Sequence, residues 1–266
     1  MSNDWHRVEY PSRIICTTTE SVDILYRLGL GDRIVGISGF TVEPPEARQK
    51  PKIGAYTSIN LDKIKELQPD LVVAFSDLQA QITHDLVKAG FTVFTMNQRT
   101  VCGILEAILM LGSLVGAVEP ARKLVEDMQC AIEAIQTHGA RLSHRPGVYF
   151  EEWHDPLISG IGWVGEVIEI AGGRNIFADV KGANAPDRIV HADEVLRRNP
   201  DLILASWCGV KVNTQSILQR PGWDQMEAVK HQRVHEIKSA YILEPGPAIL
   251  KGLEQIHALI MKEFNT

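Results

Sequence analysis

Leu61-Asp62-Lys63-Ile64 leads into Pro69-Asp70-Leu71-Val72-Val73-Ala74, and the same order returns as Ala192-Asp193-Glu194-Val195 ahead of Pro200-Asp201-Leu202-Ile203-Leu204-Ala205. Each copy reads as a helix, a Pro-Asp turn and a continuously apolar strand. Apolar runs of that kind suit strands covered on both faces. A looser echo at nearly the same offset links Ile24–Gly36, with its Leu-Gly-Leu-Gly turn, to Val167–Phe177, with its Ala-Gly-Gly turn. Two copies are too few for a solenoid. They predict two similar α/β lobes.

The rest of the chain supports that class. Short β-branched runs at Arg13–Thr18, Arg33–Ser38, Leu71–Phe75, Thr92–Asn97, Gly147–Trp153, Leu202–Trp207 and Arg233–Lys238 alternate with helical patterns, the α/β signature. Between the copies, Pro120 opens a segment in which Ala121, Leu124, Val125, Met128, Ala131, Ile132 and Ile135 form one apolar stripe, and Gly139 ends it. Proline suits a first helical turn. About twenty residues at ~1.5 Å each reach roughly 30 Å, enough to bridge two lobes. The predicted organisation is an N-terminal α/β lobe over 1–117, a linking helix within 118–143 and a C-terminal α/β lobe over 144–266.

Composition removes several function classes. In 266 residues, 45% are hydrophobic and 23% charged, with a net charge of -6 and no basic block. Nucleic-acid binding needs a concentrated positive footprint that is missing. The most apolar helical run, Gly103–Val118, is interrupted by Glu106 and too short to span a bilayer. It reads as a buried helix. Residues 1–7, Met-Ser-Asn-Asp-Trp-His-Arg, show no apolar leader region. As written this predicts a cytoplasmic protein, or a periplasmic one if a leader has been removed. Cys16, Cys102, Cys130 and Cys208 form no short-spaced pair, which argues against a zinc knuckle or a disulfide framework. No phosphate loop, dinucleotide fingerprint or Gly-x-Ser-x-Gly elbow is present.

In open α/β sheets, ligands meet the loops beyond the carboxyl ends of the strands. That rule selects Thr17 and Thr18, Ser76 and Asp77, and Gln98 and Arg99 in the first lobe. In the second it selects Glu151, Glu152, Trp153 and His154, then Trp207 and Cys208. Glu151 and Glu152 would point to opposite faces of an extended strand, so they do not form an acid/base pair without a bend. Trp163 and Trp223, at helical or turn positions, read as structural. A competing metal reading groups Glu151, His154, Asp155 and Cys208 with His191, yet without a known ligand spacing.

Several ordered markers resemble the class III substrate-binding proteins of ABC importers, closest to their cobalamin-binding branch. They are Leu28-Gly29-Leu30 before Ile34-Val35-Gly36-Ile37-Ser38, Pro44-Pro45, Asn60-Leu61-Asp62-Lys63-Ile64, Leu67-Gln68-Pro69-Asp70-Leu71-Val72, and Ala171-Gly172-Gly173-Arg174-Asn175-Ile176-Phe177. The resemblance implies a rigid helix between the lobes and a ligand cleft between them. It implies cleft aromatics at Tyr56 and Tyr241, with Phe75 and Glu244 completing the ligand-binding set. The implied ligand is a cobalamin-like corrinoid or another metal chelate such as a siderophore, with no separate cofactor. It also implies a monomer docking on an ABC permease through an acid on each lobe. Asp193 matches in the second, whereas the helix beginning Leu78-Gln79-Ala80-Gln81 offers none in the first. The alternative reading is a cytoplasmic corrinoid carrier or sensor. A metal-dependent enzyme ranks last.

Overall fold

The computed structural model describes residues 9–264; the leader reading falls outside them. Two compact units divide the described chain. The first holds the residues up to Gln98 together with Cys102–Asp127, and the second holds Arg99–Val101 and everything from Met128 onward.

The first unit runs β1 (Ile14–Cys16), α1 (Thr19–Arg27), β2 (Ile34–Ile37), α2 (Leu61–Leu67), β3 (Leu71–Phe75), α3 (Ala80–Lys88), β4 (Val93–Met96) and α4 (Val101–Leu114). Its four strands are parallel in the order β2-β1-β3-β4. Every residue of β1 and β3 is buried, so the apolar runs are explained by cover on both faces. Ile15, Ile53, Ile64, Val72, Ile82 and Leu86 form one core cluster there. One expectation fails in this unit. In α4, Ile104, Ala107, Ile108 and Leu111 are buried, but Leu109, Met110 and Leu114 are exposed. The helix is apolar all round while only one face has neighbours.

The boundary between the units lies inside α5 (Val118–Gly139). Pro120 sits in its first turn, where its missing N–H costs no helical bond. The second unit continues with β5 (Gly147–His154), β6 (Leu157–Ser159), α6 (Gly162–Ile170), β7 (Arg174–Asn175), α7 (Ala192–Arg198), β8 (Leu202–Ala205), α8 (Thr214–Leu218), α9 (Glu227–Lys230), β9 (Val234–Glu236), α10 (Ser239–Ile242) and α11 (Ile249–Phe264). Its sheet has the order β6-β5-β8-β9, with β7 pairing the start of β5. Two of these strands escaped the sequence reading. β7 is only two residues long, and β6 folds back antiparallel on the far end of β5 after Asp155-Pro156.

The internal repeat is structural. In β1, Ile14 pairs with Leu71 and Ile34; in β5, Val148 pairs with Leu202 and Asn175. Both α2 and α7 end on a left-handed residue, Gln68 (φ 46°) and Asn199 (φ 43°), just before the Pro-Asp turn. The aspartate then ties the turn to the neighbouring strand. Asp70 accepts from the backbone N–H of Ser12 and Arg13 at 2.8 and 2.9 Å, and Asp201 accepts from Gly147 at 2.6 Å. The looser echo holds equally. α1 and α6 both close with paired bonds, Leu30 to Leu25 and Gly29 to Tyr26, Gly173 to Ile168 and Gly172 to Glu169. That is a Schellman ending, whose left-handed position favours glycine; Gly29 (φ 75°) and Gly172 (φ 101°) occupy it.

Candidate functional site

In the first unit, a buried glutamine holds three of the strand-end loops together. Gln79 is fully buried; its side-chain oxygen accepts from the Thr17 hydroxyl at 2.6 Å and the Phe75 N–H at 3.1 Å. Its amide donates to the Tyr56 carbonyl at 2.7 Å. Nothing in the sequence marked Gln79, because one glutamine after a strand is unremarked until its partners are known. Ser76 adopts φ 60°, ψ 177°, a region that is almost reserved for glycine and costs on the order of 1–3 kcal/mol. Its hydroxyl accepts from the Leu78 N–H. Such strain collects at ligand sites, and it sits where the strand-end rule placed a contact.

Thr17, Thr18, Phe75, Ser76 and Gln98 are buried, Asp77 is exposed, and Tyr56 and Arg99 are half-buried. The hydroxyls of Thr17 and Thr18 are both engaged within the unit. Thr17 is committed to Gln79, and Thr18 donates to Glu20. Glu20, missed by the sequence reading, is a 2% exposed carboxyl in the first turn of α1. Burial pushes it up to about 7, opposed by the bonds from Thr18 and from its own N–H.

In the second unit, the Glu-Glu-Trp-His segment divides by strand alternation, as expected. Glu151 points to one face, where Arg220 grips it with two bonds of 2.5 and 2.8 Å and the Trp207 indole N–H adds a third at 3.1 Å. Glu152 points to the other, gripped by Arg188 at 2.6 and 2.9 Å. Arg188 is itself buried and also donates to the Ser159 carbonyl. Both carboxylates are thus neutralised by bidentate guanidinium forks. They clamp the strand. Among the described residues, no three His, Cys, Asp or Glu groups come together as a metal cluster.

Beyond the clamps lie the remaining candidates of this unit. His154 is exposed, and its ring contacts both tryptophans, with centroids 4.9 Å from Trp153 and 4.2 Å from Trp207. Trp153 is half-buried and donates to the Asp155 carbonyl. Trp207 is more enclosed than expected: at 5% exposure it belongs to the unit's core cluster. The three rings form an aromatic shelf at the carboxyl edge of the sheet. Cys208 follows, exposed, its thiol pushed up by burial and then by the negative charges of Glu152 and Glu244. Tyr241 lies between two ammonium groups, Lys238 at 5.3 Å and Lys251 at 5.0 Å from its ring centre. Trp163 and Trp223 are buried, as expected; the Trp163 indole donates to the Ile242 carbonyl at 2.8 Å.

A cavity of about 710 Å³ opens elsewhere in the second unit, lined among others by Arg99, Gly162, Glu166, Val180, Lys181 and Arg188. It has the size of a small-molecule pocket. At its wall Gly162 lets two backbone segments approach closely, since a Cβ there would stand 2.9 Å from the Arg99 carbonyl oxygen. Only Arg99 of the sequence candidates reaches it.

Two α/β units with parallel sheets, and polar and aromatic side chains gathered at the carboxyl ends of their strands, define a binding protein of the periplasmic type. The chain belongs to the periplasmic binding protein family, whose pattern it matches over residues 14–241. It is 30% identical over 256 residues to an uncharacterized ABC transporter substrate-binding lipoprotein of Bacillus subtilis, covering 92% of this chain and 79% of that one. It is 27% identical over 248 residues to the vitamin B12-binding protein of Vibrio cholerae, covering 92% and 87%. The periplasmic heme-binding protein RhuT of Roseiflexus shares the fold, with a TM-score of 0.84 at 21% identity over 95% of this chain and 98% of that one. No helix among the described residues is long and apolar enough to cross a membrane.

Proposed function

We propose that this chain is the substrate-binding component of an ABC importer for a corrinoid or a similar planar metal chelate. The observation that carries this reading is the Trp153–His154–Trp207 shelf at the sheet's carboxyl edge. Aromatic rings suit a flat macrocycle because each covers roughly 150–250 Å² and forfeits little conformational freedom. Relatives named for vitamin B12 binding and for ABC transport support the same class. The metal travels within the cargo, and no resident cofactor is needed. Catalysis is not proposed: the two carboxylates nearest the shelf are both held in ion pairs.

Titration of aquocobalamin, cobinamide, hemin and a ferric hydroxamate, followed by tryptophan fluorescence, tests the reading. One of them should quench with saturation. Trp153→Ala should then weaken it about thirtyfold, the loss of ~2 kcal/mol at an aromatic hot spot, with the melting temperature of the empty protein little changed. Trp207→Ala should instead lower the melting temperature, because that ring is part of the core. No saturable response to any of the four would sink the reading.

Docking on a permease follows from the repeat. Asp193 is exposed in the first turn of α7, while its neighbour Glu194 is committed to Arg197 and Arg198. The structural counterpart of α7 in the first unit is α2, not the helix after Leu78. At the equivalent position of α2 stands Asp62, exposed, its carboxylate 3.2 Å from the Lys65 ammonium. Each unit therefore offers one acid. Asp62→Lys and Asp193→Lys should each weaken binding to the cognate permease roughly tenfold or more, since rim charges govern encounter and register. Chelate affinity should stay unchanged. Binding assays in nanodiscs check both, and an unaffected permease affinity in the double variant would refute the docking assignment. The proposed place of action is outside the cytoplasmic membrane, which fractionation of the native host tests.

A further inference from the structure

The second unit carries a pair of histidines that the ligand shelf does not use. His138 is in the last turn of α5 and His257 lies on α11. His257 Nδ1 is 2.8 Å from the Ala171 carbonyl oxygen, an acceptor only, so Nδ1 carries a proton, and in the neutral ring Nε2 is the nitrogen with the lone pair. That lone pair is aimed at His138 Nδ1, 3.0 Å away. A histidine whose second nitrogen donates to a backbone carbonyl is the arrangement in which metal ligands are usually held, because the bond fixes both tautomer and ring plane. His138 is exposed. Its proton can therefore move from Nδ1 to Nε2, where water accepts it, leaving two lone pairs face to face.

We propose that His138 and His257 form a two-histidine site for a borderline divalent cation, Zn²⁺, Ni²⁺ or Cu²⁺, bridging α5 and α11. Two nitrogens at ~2.0–2.1 Å from a tetrahedral ion stand about 3.3 Å apart. The present separation needs to widen by only a few tenths of an ångström, and the exposed His138 ring must turn so that both lone pairs meet the ion off the line joining the two nitrogens. Imidazole nitrogen suits all three metals, whereas Mg²⁺ and Ca²⁺ prefer oxygen and are not expected to bind. Water completes the coordination sphere. The two rings lie on separate elements, so the bound ion fastens the end of α5 to α11. No ligand-shelf residue takes part, so the site should act whether or not the chelate reading holds.

The test uses the full chain without a polyhistidine tag. Calorimetric titration with ZnCl₂ and NiCl₂ at pH 7.5 should show one equivalent bound and a rise in melting temperature. His138→Ala and His257→Ala should each weaken that binding at least tenfold. The Cu²⁺ paramagnetic resonance spectrum should show nitrogen hyperfine structure from two imidazoles, reduced in either variant. His138→Ala is the safer variant because that side chain is exposed, and a circular dichroism melt confirms that each protein is folded. Equal metal affinity in wild type and both folded variants, or a thiolate signature in the Co²⁺ spectrum pointing to an exposed cysteine, would overturn the assignment. So would the absence of any binding in the wild type.

Discussion

Replacing Arg220 with methionine should lower the free energy of unfolding by ~3–5 kcal/mol, the usual result of stranding one partner of a buried ion pair. Glu151 is fully buried, and Arg220 donates two hydrogen bonds to it while the Trp207 indole donates a third. An unpaired carboxylate there must either stay charged without solvent or take up a proton. The pair itself is not a large net source of stability, since burying both charges offsets most of their attraction. The double variant Glu151→Gln, Arg220→Met should therefore recover more than half of the loss. Urea unfolding of the three variants measures this. A loss below ~1 kcal/mol in Arg220→Met would mean that Glu151 finds solvent or another donor, and the clamp would lose its meaning. Because Glu151 also holds the Trp207 indole, the single variant should loosen the aromatic shelf.

This clamp shows what the sequence could and could not reveal. The Glu-Glu-Trp-His run stood out, and strand alternation separated its two carboxylates correctly. Their partners did not stand out, because Arg188 and Arg220 lie 36 and 69 residues further along the chain. A long-range ion pair leaves no local pattern. The same holds for Gln79, which ties together loops around residues 17, 56 and 75. By contrast, the repeat was legible because each half of it is local. A helix ending on a left-handed residue, a Pro-Asp turn and a doubly covered strand all follow from neighbouring residues. The matching of α2 with α7 also places Asp62 where Asp193 stands in the other copy, a correspondence that the resemblance, looking to the helix after Leu78, did not offer. Strands β6 and β7 were missed for a different reason: two- and three-residue edges carry too few positions for any period to register.

Glu20→Gln should make the protein more stable above neutral pH and leave it unchanged in acid. Glu20 is 2% exposed, forms no ion pair among the described residues, and is raised from 4.5 to about 7 by burial. The folded state therefore holds this proton more tightly than the unfolded chain does. Its contribution is fully present below about pH 4.5 and is lost as the pH rises through about 7. With ~1.36 kcal/mol per pH unit, the loss amounts to about 3 kcal/mol by pH 8. The Cys16 thiol on β1, which feels the Glu20 charge, is itself pushed up to about 12 by burial, so it stays neutral throughout this window. Glutamine keeps an oxygen to accept the Thr18 hydroxyl and never ionises. Denaturant melts of both proteins from pH 4 to pH 8 should therefore coincide at the acid end and diverge steadily above it. Curves that stay parallel across the range would show that Glu20 is solvated and charged like an ordinary carboxylate. The divergence has a functional reading as well. Glu20 receives the hydroxyl of Thr18, which follows β1, so the charge that weakens the first unit forms at the carboxyl-terminal edge of its sheet, the side on which the proposed function puts the ligand.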